Sequence, residues 1–194
     1  MSAAAVILAA GESRRMGFPK ALLRYRDESF LDTLIGLFST RCSEVIVVLG
    51  AHADRIRPAI RRPATFVTNP DYLRGQTTSM QCGLRAVPAD AECVLFTLVD
   101  HPAVQPETLD ILLAGRGMPA PLVRVPRHQG HRGHPVWFHR HLLPELLDIP
   151  EGGAANQIVR SHAAETEFLD VDDAGILADI DDAAAYVRLT GVAL

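Results

Sequence analysis

A chain of 194 residues, 48% hydrophobic and 22% charged, can bury one sizeable core, so a single domain spanning 1–194 is expected. Its formal net charge of −4 argues against a general nucleic-acid binder, and no apolar run is long enough to cross a membrane. Cys42, Cys82 and Cys93 are too few and too widely spaced for a disulfide framework or a Cys-x-x-Cys metal site, and read as reduced, mostly buried thiols.

Residues 3–10 form an apolar run of strand length, with no basic region ahead of it that would suggest a signal peptide, and a cytoplasmic location is expected. Ser29 and Asp32 form a capping pair ahead of Leu31, Leu34, Ile35 and Phe38, which predicts a core-facing helix. The β-branched run 44–49 reads as a buried strand, 54–61 as a helix despite Pro58, and 64–67 as a third short strand. Strand–helix alternation continues with an apolar strand over 93–100, a helix over 105–114 opened by Pro106 and Glu107, and a strand over 121–127. Two glycines in 127–138 suggest a hairpin. Helices over 139–147 and 154–162, a strand over 165–171 and a closing helix over 183–189 complete the chain. This order predicts an α/β fold with a mostly parallel sheet.

The loop after the first strand carries the chemistry. Gly11 and Gly17 supply backbone freedom, while Arg14, Arg15 and Lys20 place three cations within seven residues. Glycines let backbone N–H groups approach an anion, and arginine and lysine offset its charge, so the loop is built for a polyanion. Neither standard glycine fingerprint fits: Gly11 and Gly17 are six apart and Lys20 follows Pro19, which matches neither Gly-x-Gly-x-x-Gly nor a P-loop. At the far end of the apolar strand, Asp100 follows Val99. In an open α/β sheet the ligand crevice lies beyond the carboxyl ends of the strands, so Asp100 and the loop should meet there. A carboxylate facing a polyphosphate needs a cation between them, and magnesium is the usual one.

The residues from Leu8 to Lys20 resemble, at every fixed position, the pattern Leu-Ala-Ala-Gly-x-Ser-x-Arg-Met-Gly-x-Pro-Lys of the MobA-like nucleotidyltransferase family, which includes molybdenum cofactor cytidylyltransferases. The resemblance implies a three-layer α/β/α Rossmann-like fold and a Mg²⁺-dependent transfer of CMP from CTP to a phosphate acceptor of molybdopterin type, with pyrophosphate leaving. A molybdenum-dependent oxidoreductase is then a further possible partner. It implies that Leu8, Ala9, Ala10, Gly11, Glu12 and Ser13 bind the nucleotide, with Arg15 on the outer phosphates and Lys20 on the α-phosphoryl. Ala10, where guanylyl-transferring relatives tend to carry glycine, implies a pyrimidine base. Gly75, Thr78 and Ser79, within Gly-Gln-Thr-Thr-Ser, take the place where family members contact base and ribose. A serine and threonine cluster at that point could equally be a helix cap.

Val99-Asp100-His101-Pro102 resembles the family's Gly-Asp-x-Pro at its aspartate and proline, which implies Asp100 as a metal ligand. Asp181 falls where the second ligand is implied, although Asp182-Ala183 replaces the usual Thr-Pro, and Asp179 lies on the same side of an extended chain. Gly130, Gly133, His134, Pro135 and Val136 match Gly-x-x-Gly-His/Asn-Pro-Val, which implies Arg132 and His134 as contacts of the second substrate's phosphate. His128, His131 and His134 could be read as zinc ligands, but no acidic partner is local. Residues 124–141 are basic and 165–182 acidic; facing each other, they could hold an anion and a metal. Two further readings stand beside the transferase: hydride transfer from a nicotinamide dinucleotide on the same fold, and a non-catalytic cofactor carrier.

Overall fold

The computed structural model describes residues 2–114 and 120–193. Strand β1 (Ala3–Ala9) is buried along its whole length. The chain continues through a small hairpin, β2 (Arg24–Tyr25) and β3 (Glu28–Ser29), then α1 (Phe30–Ser39), β4 (Glu44–Leu49), α2 (Ala53–Ala59) and β5 (Thr65–Thr68). Next come α3 (Gln76–Leu84), β6 (Cys93–Leu98), α4 (Pro106–Ala114), and the strands β7 (Val123–His128), β8 (His131–Arg132) and β9 (Val136–His139). Helices α5 (Leu143–Leu147) and α6 (Asn156–Ser161), strand β10 (Thr166–Asp170) and helix α7 (Ala183–Thr190) follow.

The main sheet has the order β10-β7-β9-β6-β1-β4-β5, with β8 bonded to β7. β1 pairs in parallel with both β4 and β6, β4 with β5, and β7 with β10. The exceptions to the mostly parallel sheet are β9, inserted antiparallel between β6 and β7, and the short β8, antiparallel to β7. Alternation along the strands divides the core in two. Ala5, Ile7, Val47 and Leu95 face one layer with α1 and α4, whereas Val6, Leu8, Val48 and Phe96 face the other with α3, α5 and α6. This is the expected three-layer α/β/α arrangement.

Local signals account for the boundaries. Ser29 caps α1 by accepting from the N–H of Asp32 at 2.9 Å, and Asp32 in turn accepts from the N–H groups of Arg61 and Arg62. The helix expected over 139–147 is instead the end of β9, a 3₁₀ turn (Arg140–Leu142) and α5. Val136, Trp137 and Phe138 suit a pleated, buried surface, and Pro144 cannot sit deep inside a helix because it lacks an N–H. Gly83 sets the seating of α3: a Cβ there would stand 2.6 Å from Val6 Cγ1 and 2.7 Å from Val48 Cγ2. Only glycine lets the helix lie this close to the central strands. Its first turn is thereby held over the end of β1.

The basic and acidic segments do face each other, as β7 and β10, and along the two strands their charges pair off; Arg132 and His134 of the first segment and Asp179 and Asp181 of the second lie outside these pairs. Arg124 bonds Glu167 at 3.1 Å and Arg127 bonds Asp170 at 2.9 and 3.0 Å along the parallel ladder. Arg124 is almost wholly buried beneath Trp137 and donates to the Leu112 carbonyl. Register explains the pairing, since side chains opposite each other in a ladder meet directly. Cys42 and Cys93 are buried and Cys82 half-buried, and burial pushes the Cys42 thiol up to about 12.

Candidate active site

A cavity of about 340 Å³ opens at the carboxyl ends of β1 and β6. Leu8, Ala9, Ala10, Gly11 and Ser13 form the wall from β1 into the loop. The loop is pinned at its start by the bond from Ala51 N to Ala10 O at 3.0 Å. It turns back at Ser13, whose φ is +54° and whose carbonyl accepts from both Met16 and Gly17 at 3.0 Å. Ser13 Oγ accepts from the Lys20 N–H at 3.1 Å, so one residue fixes the loop's shape and the start of the turn carrying Lys20. Arg14 and Arg15 both line the cavity. Glu12 does not: its carboxylate pairs with Arg14 at 2.8 Å, which leaves only its backbone for the expected nucleotide contact.

Asp100 follows β6, where Val99 donates its N–H to Leu8 O at 3.0 Å and buries its side chain in the core. The valine in place of glycine is thus absorbed by packing. A bond from Ile180 N to Asp100 O, 3.1 Å, brings the segment before α7 alongside. Asp182 caps α7 through the N–H of Ala185, and Asp181, one residue earlier, points to the cavity. Lys20 Nζ donates to Asp181 Oδ1 at 2.6 Å and to Asp100 Oδ2 at 3.0 Å, while Arg15 donates to the other oxygen of Asp181. Asp179 joins them: one oxygen from each of Asp100, Asp179 and Asp181 lies within 4.8 Å of the others.

The electrostatics follow from this convergence. Burial alone would lower the Lys20 pKa, but Asp100 and Asp181 outweigh it and hold the ammonium above its ordinary value. The hydrogen bond from Lys20 holds Asp181 below the usual carboxylate range. Asp179 is pushed up, by burial first and then by the facing charges of Asp100 and Asp181. The donor set fits a hard divalent cation, because all three ligands are carboxylate oxygens and Asp100 Oδ1 is buried with no hydrogen-bond partner. His128, His131 and His134 do not converge with one another as ligands among the described residues.

The Gly-Gln-Thr-Thr-Ser run divides its duties. Gly75 leaves the first turn of α3 without a side-chain cap at the cavity, and Gln76, which the sequence did not single out, lines both this cavity and its neighbour. Thr77 bonds the Gly153 carbonyl. Thr78, expected at the nucleotide, instead donates to the carbonyls of Gly75 and Asp71 and is not on the cavity wall. Ser79 is on it. A threonine in the first helical turn reaches back to the preceding carbonyls, which occupies the Thr78 proton.

A second cavity of about 580 Å³ adjoins the first at Gly75 and Gln76. Its walls combine the apolar Phe96, Val125 and Phe138 with the polar Arg74, Thr77 and Asn156, and Arg132 and His134 also stand on them. Arg132 lies 4.4 Å over the Phe168 ring. His134 packs 4.8 Å from His101, a buried histidine that sequence reasoning passed over. Burial, then the neighbouring His134, pushes His101 down to about 4, and burial lowers His134 too, so both rings are neutral at physiological pH.

A glycine loop with two arginines and a lysine, a carboxylate cluster at the strand ends and an adjoining second cavity give this α/β chain the layout of an enzyme site at the sheet's carboxyl edge. The chain belongs to the MobA-like NTP transferase domain family, whose pattern matches residues 5–166. It is 30% identical to the molybdenum cofactor cytidylyltransferase of Escherichia coli, over 91% of this chain and 89% of that protein. It is 31% identical to a protein named nicotine blue oxidoreductase from Paenarthrobacter nicotinovorans, over 95% of this chain and 94% of that one. Among solved structures, Rv0371c of Mycobacterium tuberculosis superposes with a TM-score of 0.85 at 30% identity, covering 98% of both chains. A structure of Rv0371c in complex with manganese matches with a TM-score of 0.83 at 28% identity, over 98% of this chain and 99% of that one. Among the described residues no helix is long and apolar enough to cross a membrane.

Proposed function

We propose that this chain transfers CMP from CTP to a phosphate acceptor of molybdopterin type, releasing pyrophosphate, with Mg²⁺ as the cation. The observation that carries this is the bridge from Lys20 to Asp100 and Asp181 at the mouth of the glycine loop. In-line phosphoryl chemistry asks for positioning and charge neutralisation more than for proton transfer. Backbone N–H groups from Gly11 to Ser13, with Arg15, would hold the β- and γ-phosphates. Lys20 would meet the charge that develops on the α-phosphoryl. Asp100, with Asp181 and Asp179, would hold Mg²⁺, which neutralises charge on the triphosphate. An oxygen of the acceptor phosphate, held by Arg132 and His134 in the second cavity, attacks the α-phosphorus, and the bond to the β-phosphate oxygen breaks. Arg132 would contribute the charge there, and His134, whose pKa burial lowers, would contribute a hydrogen bond.

Ala9 and Ala10 support a pyrimidine base, and the similarity to the Escherichia coli cytidylyltransferase supports cytosine and the acceptor class. A molybdenum-dependent oxidoreductase would then receive the product. The similarity to nicotine blue oxidoreductase supports a second reading, in which the same cavity holds a nicotinamide dinucleotide and hydride is transferred. Three converging carboxylates count against it, since a pyrophosphate bridge without a cation would be repelled by them. Pyrophosphate release from a panel of nucleoside triphosphates, with Mg²⁺ or Mn²⁺ and with candidate phosphate acceptors, separates the readings. CTP-dependent, metal-dependent release supports transfer. Dinucleotide-dependent turnover without metal or pyrophosphate supports the oxidoreductase, and nucleotide binding with neither supports a carrier.

A further inference from the structure

Asn69 is a buried amide, 4% exposed, between β5 and α3. Its Oδ1 accepts from the Asp71 N–H at 3.0 Å, which fixes the orientation of the amide and turns Nδ2 toward the first turn of α3. There Nδ2 donates to Thr78 Oγ1 and to Ser79 Oγ, each at 3.0 Å. A hydroxyl carries a single proton. Thr78 places its own on the carbonyls of Gly75 and Asp71, at 2.9 and 3.0 Å, and is saturated. Ser79 accepts from Asn69, and among the described residues no acceptor takes its proton. Yet Ser79 is only 3% exposed and lines the cavity. A buried hydroxyl proton without an acceptor is unfavourable, and an acceptor atom on a ligand relieves it.

We infer that Asn69 is a positioning residue that makes Ser79 an obligate hydrogen-bond donor toward the nucleoside of the bound nucleotide, so that the cavity selects an acceptor atom at that point. This rests on the nucleotide-binding reading given above. Thr78, the residue beside it, is held by the same amide and kept out of the contact.

Asn69→Asp keeps the bond to Asp71 but replaces the donor with a carboxylate oxygen, which draws the Ser79 proton to itself and leaves lone pairs facing the ligand. Isothermal titration with CTP should show Asn69→Asp binding roughly ten- to hundredfold more weakly than the natural protein. In a Ser79→Ala background, where no hydroxyl remains to be inverted, the same change should cost no more than a few-fold. The added negative charge, or a disturbed fold, would act equally in both backgrounds, so the difference between them isolates the hydroxyl. Ser79→Ala alone should weaken CTP and serves as the test should Asn69→Asp fail to fold. Titration with 2′-deoxy-CTP locates the acceptor: a retained penalty assigns it to the base, and a lost one to the ribose 2′-hydroxyl. Equal penalties in the two backgrounds, or Ser79→Ala binding CTP as tightly as the natural protein does, would overturn the inference alone. Failure of the natural protein to bind any of the four common triphosphates would remove the nucleotide reading beneath it as well.

Discussion

The ammonium of Lys20 sits 2.6 Å from the carboxylate of Asp181, a residue 161 positions further along the chain. The same ammonium bonds Asp100, so one lysine holds two of three converging acids together. Any divalent cation drawn to those acids competes with it. Lys20→Met should therefore bind Mn²⁺ roughly tenfold more tightly in the absence of nucleotide, because the acids lose their internal counter-ion and repel one another. The same variant should lose about 10²–10³ in kcat for nucleotidyl transfer, the range for removing one preorganised charge donor. Manganese titration followed by electron paramagnetic resonance, beside single-turnover kinetics, checks both. Weaker manganese binding in the variant would show that Lys20 supports the cation and does not compete with it.

Asp100 and Asp179 should not be equivalent. Asp100 has a buried oxygen without a hydrogen-bond partner, whereas Asp179 is exposed and already pushed toward its neutral form. Asp100→Asn is expected to abolish most metal-dependent turnover with little change in Tm, and Asp179→Asn to cost at least about tenfold less. Comparable losses in the two variants at saturating Mg²⁺ would place them in the same role.

Gly83→Ala sets two effects against each other. Alanine gains about 1 kcal/mol of helix propensity over glycine. Its Cβ would stand 2.6 and 2.7 Å from the side chains of Val6 and Val48, in two central strands that cannot yield. Overpacking of this kind costs about 1–3 kcal/mol, so the net change is destabilising. Thermal unfolding should show a lower Tm, and nucleotide affinity should fall as α3 lifts Gly75 and Ser79 away from the cavity.

His162 gives the molecule a pH dependence unrelated to chemistry. Its ring nitrogens lie 2.8 Å from Glu145 and 2.9 Å from Glu165. The hydrogen bond to Glu145, then that to Glu165, raises its pKa above the ordinary 6.5. A raised value means stability that is fully present below 6.5 and lost as pH rises through the folded-state value. The Tm of the natural protein should fall across this window, and that of His162→Gln should not. On the acid side His101, lowered to about 4, works in the opposite direction: stability present above 6.5 is lost as pH falls toward that value.

Residues whose meaning is local were legible before any coordinates. β1, β4 and β6 announce themselves because both sheet faces are covered and their residues are almost all apolar, Glu44 and Thr97 apart, and Ser29 carries its cap signal within three positions. β9 was not legible, because Val136 to His139 follow a proline-containing loop and precede leucines at helical spacing; only pairing with β6 and β7 decides the matter. The site divides in the same way. The glycine loop and Asp100 stand out from spacing and strand-end position. The bonds from Asn69 to Thr78 and Ser79, nine and ten residues away, do not stand out, and no spacing rule reveals them. The charge of 124–141 was visible, but the pairing of Arg124 with Glu167 and of Arg127 with Asp170 appears only once strand register is known.

The bond from Ile180 N to Asp100 O also orders events in time. Lys20 meets Asp100 across 80 residues and Asp181 across 161. Contacts of such sequence separation form late, after the loops between them have closed. On a ribosome, β1 and the glycine loop emerge before β4 and β6, the strands β1 pairs with, and before Asp100 and Asp181, so the bridge made by Lys20 can close only when nearly the whole chain has left the exit tunnel. The carboxylate cluster is thus a feature of the finished fold, and a chain cut before Asp181 should lack the Lys20 bridge.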